Sequence, residues 1–572
     1  MTTLANALPR PRLLPAAAAC ALAALLAVAP SAGAASRTGY YDTFLLSRSA
    51  DGGLPNGPST NGVISQDGRI ARVVAFQSDA SNIVGGDSNG LTDVFVTERA
   101  PGYGQDATPW APGATRIISQ GPGGQPANGP SYTPAISGDA SSSPSGGENT
   151  PPNCVAFVSR ASNLVAGDTN GKADAFVWWF ASGQLQRVSV SSTGAQSNGD
   201  TYDVAVDGTC ERIAFTSDAT NLGQTSKVSK KTPNFADLKT KQNKPGVKQV
   251  YVRVPRAERA SDKGLVGLTF LASASDRGVP GNADSSDPSW SLRTSQVLAF
   301  TSNATNIDRR DRTPTSDVYV KAMRRDVRFY GVRGVNRQKL ASLATAVRVV
   351  SVNGAGTAGN GPSMEGGASD QSCFVVFRTD STDVFPGDSS PSSDVVRADI
   401  RGFLRAKKIL DFDPPGCREI EGAAAPAGDR ITLSKVARGD GATVDPEVAG
   451  GGEYITFTSG SSIFPGVTGA DRDTNGVDDA FLYTGVRNLI RTISADTENS
   501  PLRGAARNAY PSQRINYLLF ETEDPLADVA LVRRSYPDIL ARTAAQLDTP
   551  AASNQIYMRY LGPKTVPSTD SE

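Results

Sequence analysis

A single stretch, VAFQSDASNIVGGDSNGLTDVFV at Val74–Val96, recurs in recognisable copies along the chain, so whatever this sequence folds into must repeat as well. It reads as a short apolar strand (Val74, Ala75, Phe76), a polar turn (Ser78–Asn82), an acidic Gly-rich loop (Gly86–Asp93) and a second strand (Asp93–Val96) of β-branched and aromatic residues. Aligned on the aromatic of the first strand, the copies centre on Phe76, Phe157, Phe215, Phe300, Phe377, Phe457 and Phe520, separated by about 58 to 85 residues. We call the two strands the Phe-strand and the Asp-strand.

The Phe-strand is followed by variants of one turn: SDASN at Ser78–Asn82, SRASN at Ser159–Asn163, SDATN at Ser217–Asn221, SNATN at Ser302–Asn306 and TDSTD at Thr379–Asp383. Side chains of these types hydrogen-bond neighbouring backbone. The Asp-strand recurs as DVFV (Asp93–Val96), DAFV (Asp174–Val177), QVYV (Gln249–Val252), DVYV (Asp317–Val320), DVVR (Asp394–Arg397), DAFL (Asp479–Leu482) and QIYM (Gln555–Met558). Its period-two alternation predicts a half-buried strand. A third, Ser-ending strand follows: RIIS at Arg116–Ser119, RVSV at Arg187–Val190, LTFLAS at Leu268–Ser273, RVVS at Arg348–Ser351, RITLS at Arg430–Ser434 and RTIS at Arg491–Ser494. With a weaker fourth strand, each unit makes one blade of a propeller.

A Ser of this third strand stands nine residues before an Asn-containing turn: Ser119 and Asn128, Ser189 and Asn198, Ser273 and Asn282, Ser351 and Asn360. The pair Ser47 and Asn56 shows the same spacing near the N-terminus, where NGPS at Asn56–Ser59 repeats NGPS at Asn128–Ser131. The strand Thr43–Ser47 is therefore expected to complete the blade begun by Tyr517–Phe520, removing a free sheet edge. The expected fold is all-β, a seven-bladed β-propeller over residues 35–562 closed by its N-terminal strand, with a flexible tail at 563–572. The 57 Gly, 37 Pro and 4 Met suit many short strands between tight turns.

Charge and residue counts exclude several functions. Lys plus Arg equals Asp plus Glu at 57 each, which gives no global electrostatic case for nucleic acid or an anionic membrane. There is no His, which removes Ser-His-Asp and Cys-His nucleophile systems and His-ligated zinc. Arg10 and Arg12, the apolar stretch Ala16–Val28, and Ala32-Gly33-Ala34 form the three parts of a signal peptide, expected to end at Ala34. No later run reaches the length of a membrane span. Export places Cys154, Cys210, Cys373 and Cys417 in an oxidising compartment. Pairings Cys154–Cys210 and Cys373–Cys417 avoid crossing the ring; free buried thiols are the alternative.

The acidic loops carry the metal-site expectation. They place Asp87, Asn89 and Asp93 in blade one, Asp168, Asn170 and Asp174 in blade two, and Asp471, Asp473, Asn475 and Asp479 in blade six. Alternate oxygens with a Gly at the tight turn resemble the first half of an EF-hand-type calcium loop, although a Glu at the twelfth position is absent. Two readings stay open: a calcium ion completed by backbone and water, or Asx turns whose carboxylates satisfy backbone N–H groups. Blades four and five keep only Asp311 with Asp317 and Asp388 with Asp394. Inserts at Asp139–Asn153, Gly223–Lys248 and Ala322–Leu343 interrupt the pattern, the second rich in Lys, and a solvated loop is the expectation there.

Repeats of the form VAFxSxASNLV-GDTNGxxDVFV followed by RVSVSSTGxxxNG resemble those of the exported TolB-like, WD-like β-propeller proteins of bacteria, of the PD40 type. The resemblance implies a secreted, periplasmic or envelope-associated monomeric scaffold with protein or glycan partners. TolB itself has a separate N-terminal domain for which Ala35–Val74 leaves no room, so its envelope role is not carried over. The alternative is a propeller-type glycosidase or lyase working through carboxylates or Tyr.

Overall fold

The computed structural model describes residues 43–67, 70–100, 110–138, 151–223, 242–256, 266–323, 345–386, 388, 392–409, 426–437, 439, 441–462, 464, 475–485, 487–496, 501–528 and 553–561. The signal-peptide segment, most of each insert, Cys417, Asp471, Asp473 and the tail lie outside the described residues. The described residues form seven four-stranded antiparallel sheets arranged as a seven-bladed β-propeller.

Blade one runs outward as Ser59–Ile64, Val73–Ser78, Asp93–Arg99 and Pro112–Ile117. The weak fourth strand of the sequence pattern is thus the innermost one, and its copies are Ser131–Ile136, Thr201–Val206, Ser285–Trp290, Ser363–Ala368, Thr443–Ala449 and Ala506–Pro511. Neighbouring inner strands touch around the whole ring, blade seven meeting blade one. Blade seven is completed by Thr43–Leu45, paired antiparallel with Gln555–Tyr560 as expected. Buried Arg559 donates to the Thr43 hydroxyl at 2.7 Å and to the Ala495 carbonyl at 2.8 Å, while Ser47 donates to Gln555 at 2.9 Å.

The alternation in the Asp-strands predicts one buried face, and the structure buries both. Asp174–Val177 and the Phe-strand Cys154–Ser159 are buried throughout. Each sheet is covered on both sides by its neighbours, so alternate residues of one strand enter different interblade cores. Val73, Ala75, Val94 and Val96 of blade one pack with Phe157 and Phe176 of blade two, whereas Val74, Phe76 and Phe95 pack with Leu519 and Ile556 of blade seven. The repeat's aromatics stack across each sheet, Phe76 on Phe95 at 5.5 Å and Phe300 on Tyr319 at 5.6 Å. In blade five Val396 stands opposite Phe377 in that place.

The nine-residue spacing has two mechanical ends. The Ser hydroxyl donates to the first side chain of the Asp-strand, Ser119 to Asp93, Ser351 to Asp317 and Ser494 to Asp479, each at 2.6 Å. The Asn closes the next blade: Asn128 receives the Ser162 N–H at 2.8 Å, and its own N–H donates to Asn163 at 3.1 Å. A disulfide joins Cys154 to Cys210, from blade two to blade three, and Cys373 is also disulfide-bonded, its partner lying outside the described residues.

Candidate functional site

Three regions bear chemistry: the acidic loops, the axial channel and a cleft between blades one and two. In blade one the Asn89 amide donates to Asp93 at 2.8 Å and to the Ala127 carbonyl at 3.2 Å, while its oxygen accepts the Leu91 N–H at 3.0 Å. Asp93, buried, also accepts Ser119. Burial pushes Asp93 up to about 6, against these hydrogen bonds and with the charge of Asp87 adding to it. Burial also raises Asp87, whose carboxylate accepts the Asn89 N–H. This is the Asx-turn arrangement, with the Asn oxygen already used.

Blade two repeats it: Asn170 donates to Asp174 at 2.8 Å and accepts the Lys172 N–H at 3.0 Å, and burial again pushes Asp174 to about 6. Here, however, the Arg187 guanidinium lies 2.9 Å from Asp168 and 3.7 Å from Asp174. An internal cation stands between the two carboxylates, so this loop does not fit a metal ion. Blade five shows the same solution with Lys435, 3.8 Å from both Asp388 and Asp394. In blade four Asp311 accepts the Tyr319 phenol. In blade six Asn475 donates to the Leu502 carbonyl at 2.9 Å, and Asp471 and Asp473 lie outside the described residues. Among the described residues no three Asp, Glu or Cys side chains come together as a metal site.

The residues that line the channel were not named from the sequence. The third residue of each inner strand occupies one ring position, filled in order by Asn61, Thr133, Asp203, Asp287, Glu365, Asp445 and Asn508. A register shift marks every inner strand there, and six of the seven residues, all but Asp203, have φ between 51° and 59°. The extra residue re-aims the side chain at that level of the strand. Four consecutive blades, three to six, contribute acids. The Asp287 N–H donates to Asp203 at 3.3 Å and the Asp445 N–H to Glu365 at 2.9 Å, so the ring links blade to blade. Arg378 pairs with Glu365 at 3.3 Å. Below Asp445, half-buried Glu447 is pushed by burial to about 8, with the charges of Asp445 and Glu365 adding to it.

The turns leaving the inner strands converge at one end. A Cβ on Gly208 would lie 2.2 Å from the Leu292 carbonyl oxygen, and one on Gly138 2.5 Å from the Gln66 nitrogen, so only Gly lets these backbones meet. The Gly208 N–H donates to Leu292 at 3.1 Å and that of Asp370 to Gly450 at 3.0 Å.

A cleft of about 650 Å³ opens between the outer parts of blades one and two. Ile117, Leu164, Leu185 and Trp178 make its apolar wall, and Gln120, Gln184 and Arg116 supply polar groups. Arg116 sits over the Trp178 ring at 5.3 Å and pairs with Glu98.

No protein-family model and no curated protein matches the chain. Solved structures that resemble it include TolB from Acinetobacter baumannii, at 9% identity and TM-score 0.32, over 74% of this chain and 64% of that one. This chain therefore spans less than two thirds of that TolB chain. An oligogalacturonate lyase in complex with manganese is similar at 9% identity and TM-score 0.40, over 92% of this chain and 96% of that one. A puromycin-hydrolysing peptidase from Mycobacterium tuberculosis follows at 10% identity and TM-score 0.40, over 84% and 53%.

Proposed function

We propose that this chain is an exported propeller scaffold that holds a protein or glycan partner, with the cleft between blades one and two as its glycan-binding site. The observation carrying this reading is the cleft itself. Its volume falls within the span of small-ligand sites, and two carboxamides beside a guanidinium laid over the buried Trp178 indole are hydrogen-bonding groups suited to a sugar's hydroxyls. Export is supported by the N-terminal signal pattern and the disulfides. No helix among the described residues is long and apolar enough to cross a membrane. The test is a glycan array with the purified chain, followed by Gln184→Ala. An oligosaccharide hit weakened about tenfold at unchanged melting temperature is expected, the size of one lost hydrogen bond of about 1.4 kcal/mol. An array without hits would remove the glycan assignment.

For calcium, the proposal drops the blade-two loop, whose place Arg187 fills, and keeps the Asp87 and Asp93 pair of blade one and the Asp471, Asp473, Asn475 and Asp479 loop of blade six. The pair supplies carboxylate oxygens, and the remaining oxygens come from backbone and water. A second functional reading, a glycosidase or lyase, is favoured by Asp445 and Glu447 together, since burial holds Glu447 towards its proton-bearing form beside another carboxylate. Turnover on a polysaccharide panel, abolished by Glu447→Gln, would establish it; no turnover across the panel would discard it.

A further inference from the structure

The cleft between blades one and two carries charge of one sign. Among the described residues that line it, Arg116 alone is ionisable; the others are apolar, Gly or Gln. The acid nearest along the chain, Asp168, stands two residues past the lining residue Ala166, with its side chain 3% exposed and held by Arg187 at 2.9 Å. No group of the cleft wall therefore offsets the guanidinium. Gln120 and Gln184 make no side-chain hydrogen bond among the described residues, so both carboxamides are uncommitted.

Arg116 is held from two sides. Its guanidinium lies 5.3 Å over the Trp178 ring, an indole that is itself buried and set edge-on to Phe180 at 4.8 Å. Its one polar side-chain partner among the described residues is Glu98, which comes from the Asp-strand of blade one and not from the cleft wall. The two side chains are 47% and 40% exposed, so water screens the pair and its formation contributes little. A guanidinium has five donors, more than one carboxylate accepts. The structure thus shows the type of acceptor this Arg takes, in a pair weak enough for a second carboxylate to replace or to join.

We propose that the glycan held in this cleft is acidic, a sugar bearing a carboxylate, with Arg116 pairing the carboxylate and Gln120 and Gln184 taking hydroxyls. The inference rests on the cleft reading above and adds to it the charge of the ligand. Charge complementarity decides for an acid: a neutral sugar gains only the carboxamide bonds and leaves Arg116 with Glu98, whereas a carboxylate adds a charge-assisted pair. The planar guanidinium fork matches a carboxylate with two parallel bonds. Within the cleft the ligand's own bulk excludes water, so that pair is stronger than the exposed one it replaces.

The experiment is a glycan array carrying uronate-bearing, sialylated, sulfated and neutral members, followed by titration of the strongest carboxylate-bearing hit and of its carboxyl-reduced counterpart at about 0.15 M salt. The carboxylate form is expected to bind about tenfold tighter than the reduced form, the size of one charge-assisted hydrogen bond. Arg116→Gln is expected to erase that margin and to leave the affinity of the reduced form unchanged. Glu98→Gln removes the internal competitor and is expected to raise affinity for the carboxylate form about threefold. Ala166→Trp, at an exposed lining position, fills the cleft with Arg116 and Glu98 in place, and is expected to abolish binding of both forms at an unchanged melting temperature. A preference for neutral or sulfated members, or a margin that survives Arg116→Gln, overturns the carboxylate assignment and leaves the glycan cleft standing. An array without hits, or binding that survives Ala166→Trp, removes the cleft reading and this one with it.

Discussion

The acidic loops of blades one and two share residue types, spacing and turn geometry, yet only one of them carries its own cation. In both, the Asn amide donates to the last Asp at 2.8 Å and burial pushes that Asp to about 6. The difference lies outside the motif. Arg187 stands opposite Phe176 in blade two, where blade one has Ile117 opposite Phe95; Arg116 stands one place earlier, opposite Val96, so it points to the other face, over Trp178 and against Glu98. A loop motif of this kind is thus completed by the outer strand of its own blade, as Lys435 opposite Val396 also shows, and repeat identity does not transfer a metal site from one blade to the next.

The sharpest way to break the comparison is to remove the first Asp of each loop. Asp168→Ala is expected to cost about 1.5 to 3 kcal/mol, because it strips a charge-assisted partner from Arg187, whose side chain is 12% exposed. Asp87→Ala removes an acceptor of one backbone N–H and is expected to cost under about 1 kcal/mol. Urea denaturation in chelator measures both, and equal losses would mean that Arg187 does not define the second loop.

Calcium provides the next test. At about 100 times its dissociation constant, one native-state site adds about 2.7 kcal/mol, a shift of a few degrees for a chain of this size. The wild-type shift is expected to persist in Asp168→Asn, to shrink in Asp87→Asn, and to grow in Arg187→Gln, which frees the second pair. Bound calcium per chain, measured by equilibrium dialysis, should rise by one in Arg187→Gln. No change there would show that an internal cation is not what closes blade two.

The smallest effect is on pH. Asp93 in the folded chain titrates near 6, above its ordinary value of 3.8, so the native state takes up a proton that the unfolded chain still lacks across that window. Without calcium, stability from this group is present below about pH 4 and falls as pH rises to about 6, then stays level. With calcium the order reverses, since a proton on Asp93 competes with the ion, and apparent affinity should weaken up to about tenfold per pH unit below 6. A calcium affinity that is flat between pH 5 and 7 would remove Asp93 from the ligand set.

Strand identity, blade number and ring closure were legible in the chain because they rest on local periodicity. Phe76 and its six copies, the Ser47 and Asn56 spacing, and the turn at Ser78–Asn82 each encode a contact within one blade or with the next. The channel ring was also written there, unread: Asn61, Thr133, Asp203, Asp287 and Glu365 each stand five residues after the turn Asn, at Asn56, Asn128, Asn198, Asn282 and Asn360. Which wall is acidic follows from the sequence alone once that offset is applied. Two matters belong to the tertiary structure: burial of both strand faces and the stacking of Arg116 on Trp178 each join residues of different blades. A repeat specifies its own sheet through period-two side chains and turn hydrogen bonds, and that alternation also decides the face from which a long charged side chain leaves, but the partner it meets across the interblade gap is set only when the ring closes.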